Sequence, residues 1–348
     1  MVKPRAILAG LTTALGLLIG SSPARGFDAL YAFGDSLTDT WREPSPSPLH
    51  YQGRWSNGPL WVEYLSDRLG FPYNRTNNYA RSGAQCDDTD RQVQTFTSTQ
   101  DTSQALFVVW AGGNDFLQEY DTLLLDDVKW NAQIAYSVGS LSNAIQRLFA
   151  QGARTVLVPN TVDVTLIPIV NWVLEPLRDY LRSKVQQFNR ELAQAMTEVA
   201  AAHPDRRLVH FDFYAAVNRL VADAARFGFT KTRLDAVADV TLLDKSFDGP
   251  GSLYLFWDSI HPTTKAHALV ADWYHAAVAP MQPEVSLSMS GSTLSLTATR
   301  LHAGQAYQLQ RSPDLSTWDD VQTLSPVSGN LVLALTNDAR QAFYRLKW

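Results

Sequence analysis

The 348-residue chain is 45% hydrophobic and 18% charged, a composition that excludes a disordered or fibrous protein. Its formal net charge of -5 argues against nucleic acid or an anionic membrane as a partner. A single core rarely grows past roughly 250 to 300 residues, so a large domain with a smaller companion is expected.

Lys3 and Arg5 precede an apolar stretch from Ala6 to Gly20, and the small residues Ala24 and Gly26 follow it. This is the pattern of a secretory signal peptide over residues 1–26, cleaved after Gly26. The apolar run is shorter than the roughly 20 residues a bilayer-spanning helix needs. No later segment is long enough either, so the mature chain is expected to lack a transmembrane anchor and to be secreted or periplasmic. Residues 1–26 hold Lys3, Arg5 and Arg25 and no acid, so their removal leaves a still more acidic chain. Cys86 is the only cysteine, which rules out an intramolecular disulfide even in an oxidising compartment.

From Phe27 to about Pro280 short apolar runs alternate with longer helical patterns, the signature of an α/β domain with a mostly parallel sheet. Ala29 to Phe33, Ala105 to Trp110, Thr155 to Pro159 and Arg207 to Phe211 are the strands predicted for the middle of that sheet. Pro59 to Leu69 reads as a helix with Asn57 as N-cap and Gly70 at its end. Leu177, Tyr180, Leu181, Val185, Phe188, Leu192, Met196 and Val199 recur at helical spacing until Pro204 stops them. These stripes are assigned to the core. Phe116 to Trp130 is either an amphipathic flap over an acyl chain or a packed surface helix.

After Ala279-Pro280-Met281-Gln282-Pro283 the pattern changes to alternation of period two, through Val285, Leu287 and Met289 to Tyr344, Leu346 and Trp348. Residues 284–348 are therefore a C-terminal all-β module behind a proline-marked linker. Through Tyr307 to Ser312, Trp318 and Phe343 to Leu346 it resembles the small β-sandwich modules of some secreted bacterial enzymes. It would either bind a surface or polysaccharide or act as a spacer.

Tyr31-Ala32-Phe33-Gly34-Asp35-Ser36-Leu37 places a serine where a strand hands over to a turn, at the sheet edge where open α/β folds hold ligands. Ser36 is there either a nucleophile toward a carbonyl or a cap for the next turn. Trp257-Asp258-Ser259-Ile260-His261-Pro262 sets an acid and a histidine three residues apart, before a helix that Pro262 is suited to open. A carboxylate so placed can hold an imidazole in the tautomer that accepts a serine proton, or merely cap that helix. Gly83 offers a backbone N–H unobstructed by a side chain. Asn114, after the Ala105 to Trp110 strand, can aim its amide at the same edge. Donors of this kind stabilise an oxyanion, although a glycine or asparagine in a loop also serves as a turn residue.

Gly34-Asp35-Ser36-Leu37, Gly83 in its Asn-Tyr-Ala setting, Gly113-Asn114-Asp115 and Asp258-Ser259-Ile260-His261-Pro262 resemble the four ordered blocks of the GDSL (SGNH) hydrolases. Gly53 to Pro59 and Phe188-Asn189 resemble the secreted esterases and lipases of that family. The resemblance spans residues 27 to about 277. It implies a flavodoxin-like α/β/α sandwich and cleavage of a small-molecule or lipid ester. It also implies Ser36 as nucleophile, His261 as base, Asp258 as its partner, and an oxyanion hole of the Ser36 N–H, the Gly83 N–H and the Asn114 amide. Carbohydrate deacetylation and acyl transfer would use the same triad. A noncatalytic protein acting through its β module is the alternative of another class. Asp35 and Asp39 are read as loop-organising residues. No cofactor is expected, and no metal site either: His267 and His275 are placed on a helix flank, and no His-Glu-x-x-His pattern occurs.

Overall fold

The computed structural model describes residues 15–17, 26–40, 47–98, 100–119, 125–279, 284–290, 293–299, 307–324, 330–335 and 342–347. The chain divides into two compact units, Gly26–Ala279 and a second made of Met1–Arg25 with Pro280–Trp348. Strand β1 (Leu15–Leu17) belongs to the second. Residues 1–14 and 18–25 of the signal-peptide pattern and the linker residues 280–283 lie outside the described residues.

The larger unit is built on a parallel sheet of β2 (Ala29–Gly34), β3 (Ala105–Trp110), β4 (Thr155–Pro159) and β5 (Arg207–Phe211), hydrogen-bonded in that order. All six residues of β3 are buried, which is why that strand reads as an unbroken apolar run rather than an alternation. On the other side of β2, Asn78 bridges to Ala32 in parallel, and the N–H groups of Tyr79 and Arg81 donate to the carbonyls of Ala32 and Gly34 at 2.8 and 2.9 Å. A segment that precedes β3 in the chain therefore flanks β2 from outside. The order reverses between β2 and β3, as in flavodoxin-like sheets, and the crevice beyond the carboxyl ends of those two strands is the topological switch point.

The helices of this unit are α1 (Trp61–Arg68), α2 (Cys86–Thr95), α3 (Gly113–Leu117), α4 (Asp127–Ala150), α5 (Glu175–Ala202), α6 (Phe213–Ala222) and α7 (Thr264–Val278). Leu106, Val108 and Trp110 of β3 pack with Trp61 of α1 and Tyr274 of α7. Their neighbours Phe107 and Val109 point the other way, into a core with Val93 of α2, Leu141 of α4 and Phe188 of α5. Period-two alternation in the strands thus divides one apolar sequence between two helical layers.

Three local expectations change. Helix α1 starts at Trp61, and its N-terminal N–H at Leu60 donates to the Glu63 carboxylate at 2.8 Å. Asn57 is not its N-cap: the Asn57 side chain accepts the Thr264 N–H at the start of α7 at 2.9 Å, a partner 207 residues away. Gly70 does end α1, with a left-handed φ of 85°. The stretch from Phe116 to Trp130 is not one helix, because α3 stops at Leu117 and α4 starts at Asp127. Phe116 and Trp130 stack in the core at 5.3 Å, while Leu123 and Leu124 lie outside the described residues. A further parallel pair, β6 (Lys231–Asp235) with β7 (Tyr254–Phe256), was not anticipated, since Lys-Thr-Arg-Leu-Asp carries no apolar pattern.

In the second unit β8 (Glu284–Ser290), β9 (Thr293–Thr299), β10 (Tyr307–Ser312), β11 (Asp319–Leu324), β12 (Asn330–Leu335) and β13 (Ala342–Lys347) form two sheets. Their orders are β12-β9-β8 and β1-β13-β10-β11. Leu294 and Leu296 from one sheet meet Leu309, Tyr344 and Leu346 from the other in a single core. Strand β1 adds in parallel to β13. Among the described residues no helix is long and apolar enough to cross a membrane.

The carboxyl ends of β2 and β3 approach closely at Gly34, where a Cβ would stand 2.2 Å from the Trp110 carbonyl oxygen. Gly34→Ala is expected to lower folding stability by about 1–3 kcal/mol through overpacking. A urea transition at the wild-type midpoint would contradict this close approach.

Candidate active site

Ser36 follows β2 in a tight turn, with the N–H groups of Thr38 and Asp39 donating to the Asp35 carbonyl at 3.0 and 2.9 Å. The Asp35 carboxylate accepts the Leu37 N–H at 2.9 Å. Asn114 lies in α3, directly after β3, so both residues border the switch point. Gly112 makes the connection with φ 121°, packed so tightly that a Cβ would lie 3.1 Å from the Phe188 ring. On α5 beside it, the buried Asn189 amide exchanges two hydrogen bonds with the backbone of Thr161, at 3.0 and 2.9 Å. Phe188 and Asn189 therefore hold the loops after β3 and β4.

The Asp258 to His261 loop folds back on itself. Asp258 Oδ1 accepts the N–H groups of Ile260 and His261 at 2.9 and 2.7 Å, and His261 Nδ1 lies 2.9 Å from both carboxylate oxygens. His261 Nε2 lies 2.8 Å from Ser36 Oγ. With Nδ1–H donating to the carboxylate, Nε2 is the acceptor for the serine proton. Burial pushes the Asp258 carboxyl up, but hydrogen bonds from His261 and His50, with the nearby His261 charge, hold it well below the usual carboxylate range. The geometry thus keeps an anion behind a histidine whose far nitrogen faces a hydroxyl.

A third segment holds this loop in place. Trp55 stacks on the His261 ring at 4.8 Å and 24°. Ser56 Oγ donates to the Pro262 carbonyl at 2.9 Å. Pro262 does not open the helix; Thr263 is the N-cap of α7. Trp55 Nε1 donates to Ser82 Oγ, whose N–H and hydroxyl both donate to Asp39, so Asp39 organises its loops as expected.

The GDSL-like lipase/acylhydrolase family model matches residues 30–274. The chain belongs to this family. It is 25% identical over 274 residues to a thermolabile hemolysin of Vibrio parahaemolyticus serotype O3:K6 (strain RIMD 2210633), covering 69% of this chain and 61% of that one. It is 27% identical over 182 residues to the GDSL esterase/lipase APG of Arabidopsis thaliana, covering 48% of this chain and 52% of the relative. A second GDSL esterase/lipase of Arabidopsis thaliana is 23% identical over 347 residues, with coverages of 75% and 85%. The chain thus spans about 61% and 52% of the lengths of the first two relatives.

Of the GDSL-family residues expected at the site, Ser36, Asp258 and His261 form one hydrogen-bonded chain. Asn114 Nδ2 donates to the Ala84 carbonyl at 3.0 Å and has a long 3.4 Å contact to Asp35 Oδ2. Gly83 has φ 82° and its absent Cβ would meet nothing nearer than the Gln118 amide at 3.9 Å. Backbone conformation rather than crowding is what asks for glycine there.

Two histidines differ from the sequence reading. His50, which sequence reasoning missed, places Nε2 2.9 Å from Asp258 Oδ2, and its Nδ1 lies 2.8 Å from Ser47 Oγ. No local pattern marks it, because its partner is 208 residues away. His267 rides α7 but faces inward rather than along a flank: it is 1% exposed. Burial, with the nearby His261 charge, pushes its imidazole down to about 3, so it is neutral. It lines an apolar cavity of about 80 Å³ with Ser36, Trp110, Phe213, Leu255 and Val270. A wider groove of about 250 Å³ adjoins Asn114 and is lined by Leu117, Val170, Val173 and Ile260.

Asp35 is buried, and desolvation, partly offset by the Leu37 N–H and the His261 charge, raises its carboxyl to about 6. The folded protein therefore keeps a proton on Asp35 that the unfolded chain loses from about pH 4. Its contribution is neutral below the unfolded value and becomes a penalty as pH rises toward 6, on the order of 3 kcal/mol once fully ionised. Asp35→Asn should gain stability relative to wild type between pH 4 and 7 in urea titrations. A difference that stays constant across that window would count against a raised Asp35.

Proposed function

We propose that this chain is an exported hydrolase of carboxylic esters that works through an acyl-Ser36 intermediate. The observation that carries this reading is the 2.8 Å contact between His261 Nε2 and Ser36 Oγ, backed by Asp258 on Nδ1. His261 takes the serine proton as Oγ bonds to the ester carbonyl carbon. The imidazolium then returns that proton to the departing alkoxide. A water, deprotonated by the same histidine, releases the carboxylic acid and restores Ser36.

The negative charge on the former carbonyl oxygen would be met by the N–H groups of Ser36 and Gly83 and by Asn114 Nδ2. One Asn114 hydrogen is committed to Ala84, and the other, with only the long contact to Asp35, is the one to turn toward the oxyanion. The groove beside Asn114 supports an apolar acyl group. Its volume of about 250 Å³ falls below the roughly 300–1,000 Å³ of pockets that enclose drug-sized ligands, which favours short and medium chains. Export rests on the charged, apolar and small-residue pattern of residues 1–26.

Hydrolysis of p-nitrophenyl esters from acetate to palmitate, with Ser36→Ala as control, tests the proposal. The wild type should turn over the shorter esters fastest and Ser36→Ala none. Two folded proteins equally inert on every ester would sink it. Asn114→Ala should lower kcat by roughly 100- to 1,000-fold; a loss below about threefold would remove Asn114 from the oxyanion hole.

A further inference from the structure

We propose that His50 is a positioning residue for the triad, fixing the plane of the Asp258 carboxylate against His261. The inference rests on the acyl-serine reading above and goes beyond it.

The two carboxylate oxygens of Asp258 are held unequally. Oδ1 is fixed by the backbone N–H groups of Ile260 and His261. Among the described residues Oδ2 has no backbone donor; it shares His261 Nδ1 with Oδ1 and accepts from His50 Nε2 at 2.9 Å. Among the described residues, His50 is the donor to Asp258 from outside its own four-residue loop. Because Nδ1 is equally far from both oxygens, His261 alone does little to set the carboxylate's rotation about Cβ–Cγ. Two donors from within the loop restrain Oδ1, and His50, acting on Oδ2 from outside it, tightens the same Cβ–Cγ torsion.

The directions of the hydrogen bonds agree throughout. Ser47 Oγ accepts the Leu49 N–H at 3.1 Å and can donate to His50 Nδ1 at 2.8 Å. That leaves the proton of a neutral His50 on Nε2, aimed at the Asp258 anion. His261 Nδ1–H donates to the same anion from the other side, and Ser36 Oγ–H donates to Nε2. His50 is 8% exposed, and the Trp55 that stacks on His261 also meets the His50 ring edge-on at 5.3 Å. The two imidazoles are thus packed on one indole and converge on one carboxylate. A carboxylate that could rotate would leave His261 free to swing off Ser36, so the loss would appear in the chemical step rather than in substrate binding.

The test uses the full chain with His50→Phe, which keeps a ring beside Trp55 and removes the donor. His50→Gln serves as the conservative variant, since its amide reaches the same oxygen. Two rates are read. One is the labelling of Ser36 by a fluorophosphonate, in which Oγ bonds to phosphorus, fluoride leaves with the bonding pair and His261 takes the proton. The other is kcat and KM on the best p-nitrophenyl ester.

His50→Phe should slow labelling and kcat by roughly 10- to 100-fold, the scale seen when carboxylate partners of metal-binding histidines are removed. KM should stay within about twofold, and His50→Gln should recover most of the loss. Labelling by His50→Phe within about threefold of wild type overturns the proposal. So does a His50→Gln as slow as His50→Phe when both melt with the wild type. Where His50→Phe fails to fold, His50→Asn, whose shorter amide falls short of Oδ2, takes its place with the same expected loss. A folded wild type that takes no label at Ser36 overturns the activated-serine reading and this inference with it, whereas a reactive wild type matched by His50→Phe overturns this inference alone.

Discussion

A carboxylate taken out of water must be met by donors or it takes up a proton, and Asp258 is such a carboxylate. Its side chain is 14% exposed, and the groups aimed at it are the Ile260 and His261 N–H groups, the His261 ring and the His50 ring. Much of the site's architecture follows from that requirement. The 258–261 loop must curl so that its own backbone reaches Oδ1, and that curl presents the histidine side chain to the same group. Residues 47–57 must lie against the loop for His50 to reach Oδ2, and there they also supply Trp55, Ser56 and Asn57 to the turn and to α7.

The second constraint is topological. Ser36 and His261 are 225 residues apart, and they meet because the parallel sheet collects the carboxyl ends of its strands on one edge. Reversal of strand order between β2 and β3 opens a crevice there, bordered by the turn that bears Ser36 and by the start of α3 that bears Asn114. Tight packing at Gly34 and Gly112 sets these loops at fixed heights, one against the Trp110 carbonyl and the other against Phe188. Each of these glycines serves the site at one remove, by letting backbone or ring come closer than a Cβ would allow.

Electrostatics divides the buried acids by environment. Asp258 is surrounded by donors and stays ionised, while Asp35, two positions before Leu37 and buried in the same crevice, has too few and is raised to about 6. His267 stays neutral for a related reason, since an apolar cavity disfavours an imidazolium. The site therefore carries the Asp258 charge behind His261 throughout the neutral range, joined by Asp35 as pH rises past about 6, while His267 stays neutral in the cavity below Ser36.

Much of this was legible in the residues themselves. Apolar runs located β2 to β4, because strands buried on both faces leave a nearly uninterrupted signal, while β5, half-buried throughout, was found from a run that mixes Arg207 and His210 with apolar residues. Alternation likewise marked the C-terminal strands, and the short-range motifs placed Ser36 and Asn114 at strand ends and Asp258 with His261 just before a helix. Features made by partners far along the chain were not legible. Asn57 looked like the cap of the nearest helix and instead meets Thr264; His267 looked like a flank residue and faces a cavity; His50 carried no signal at all. β6 was hidden because its residues are mostly polar. Periodicity and turn chemistry are local, so the sequence by itself determined most of the strands and helices and the chemical groups available at the edge of the sheet. Which side chains converge there, and which histidine faces which carboxylate, depends on contacts between residues some 200 positions apart, and only the tertiary structure decided it.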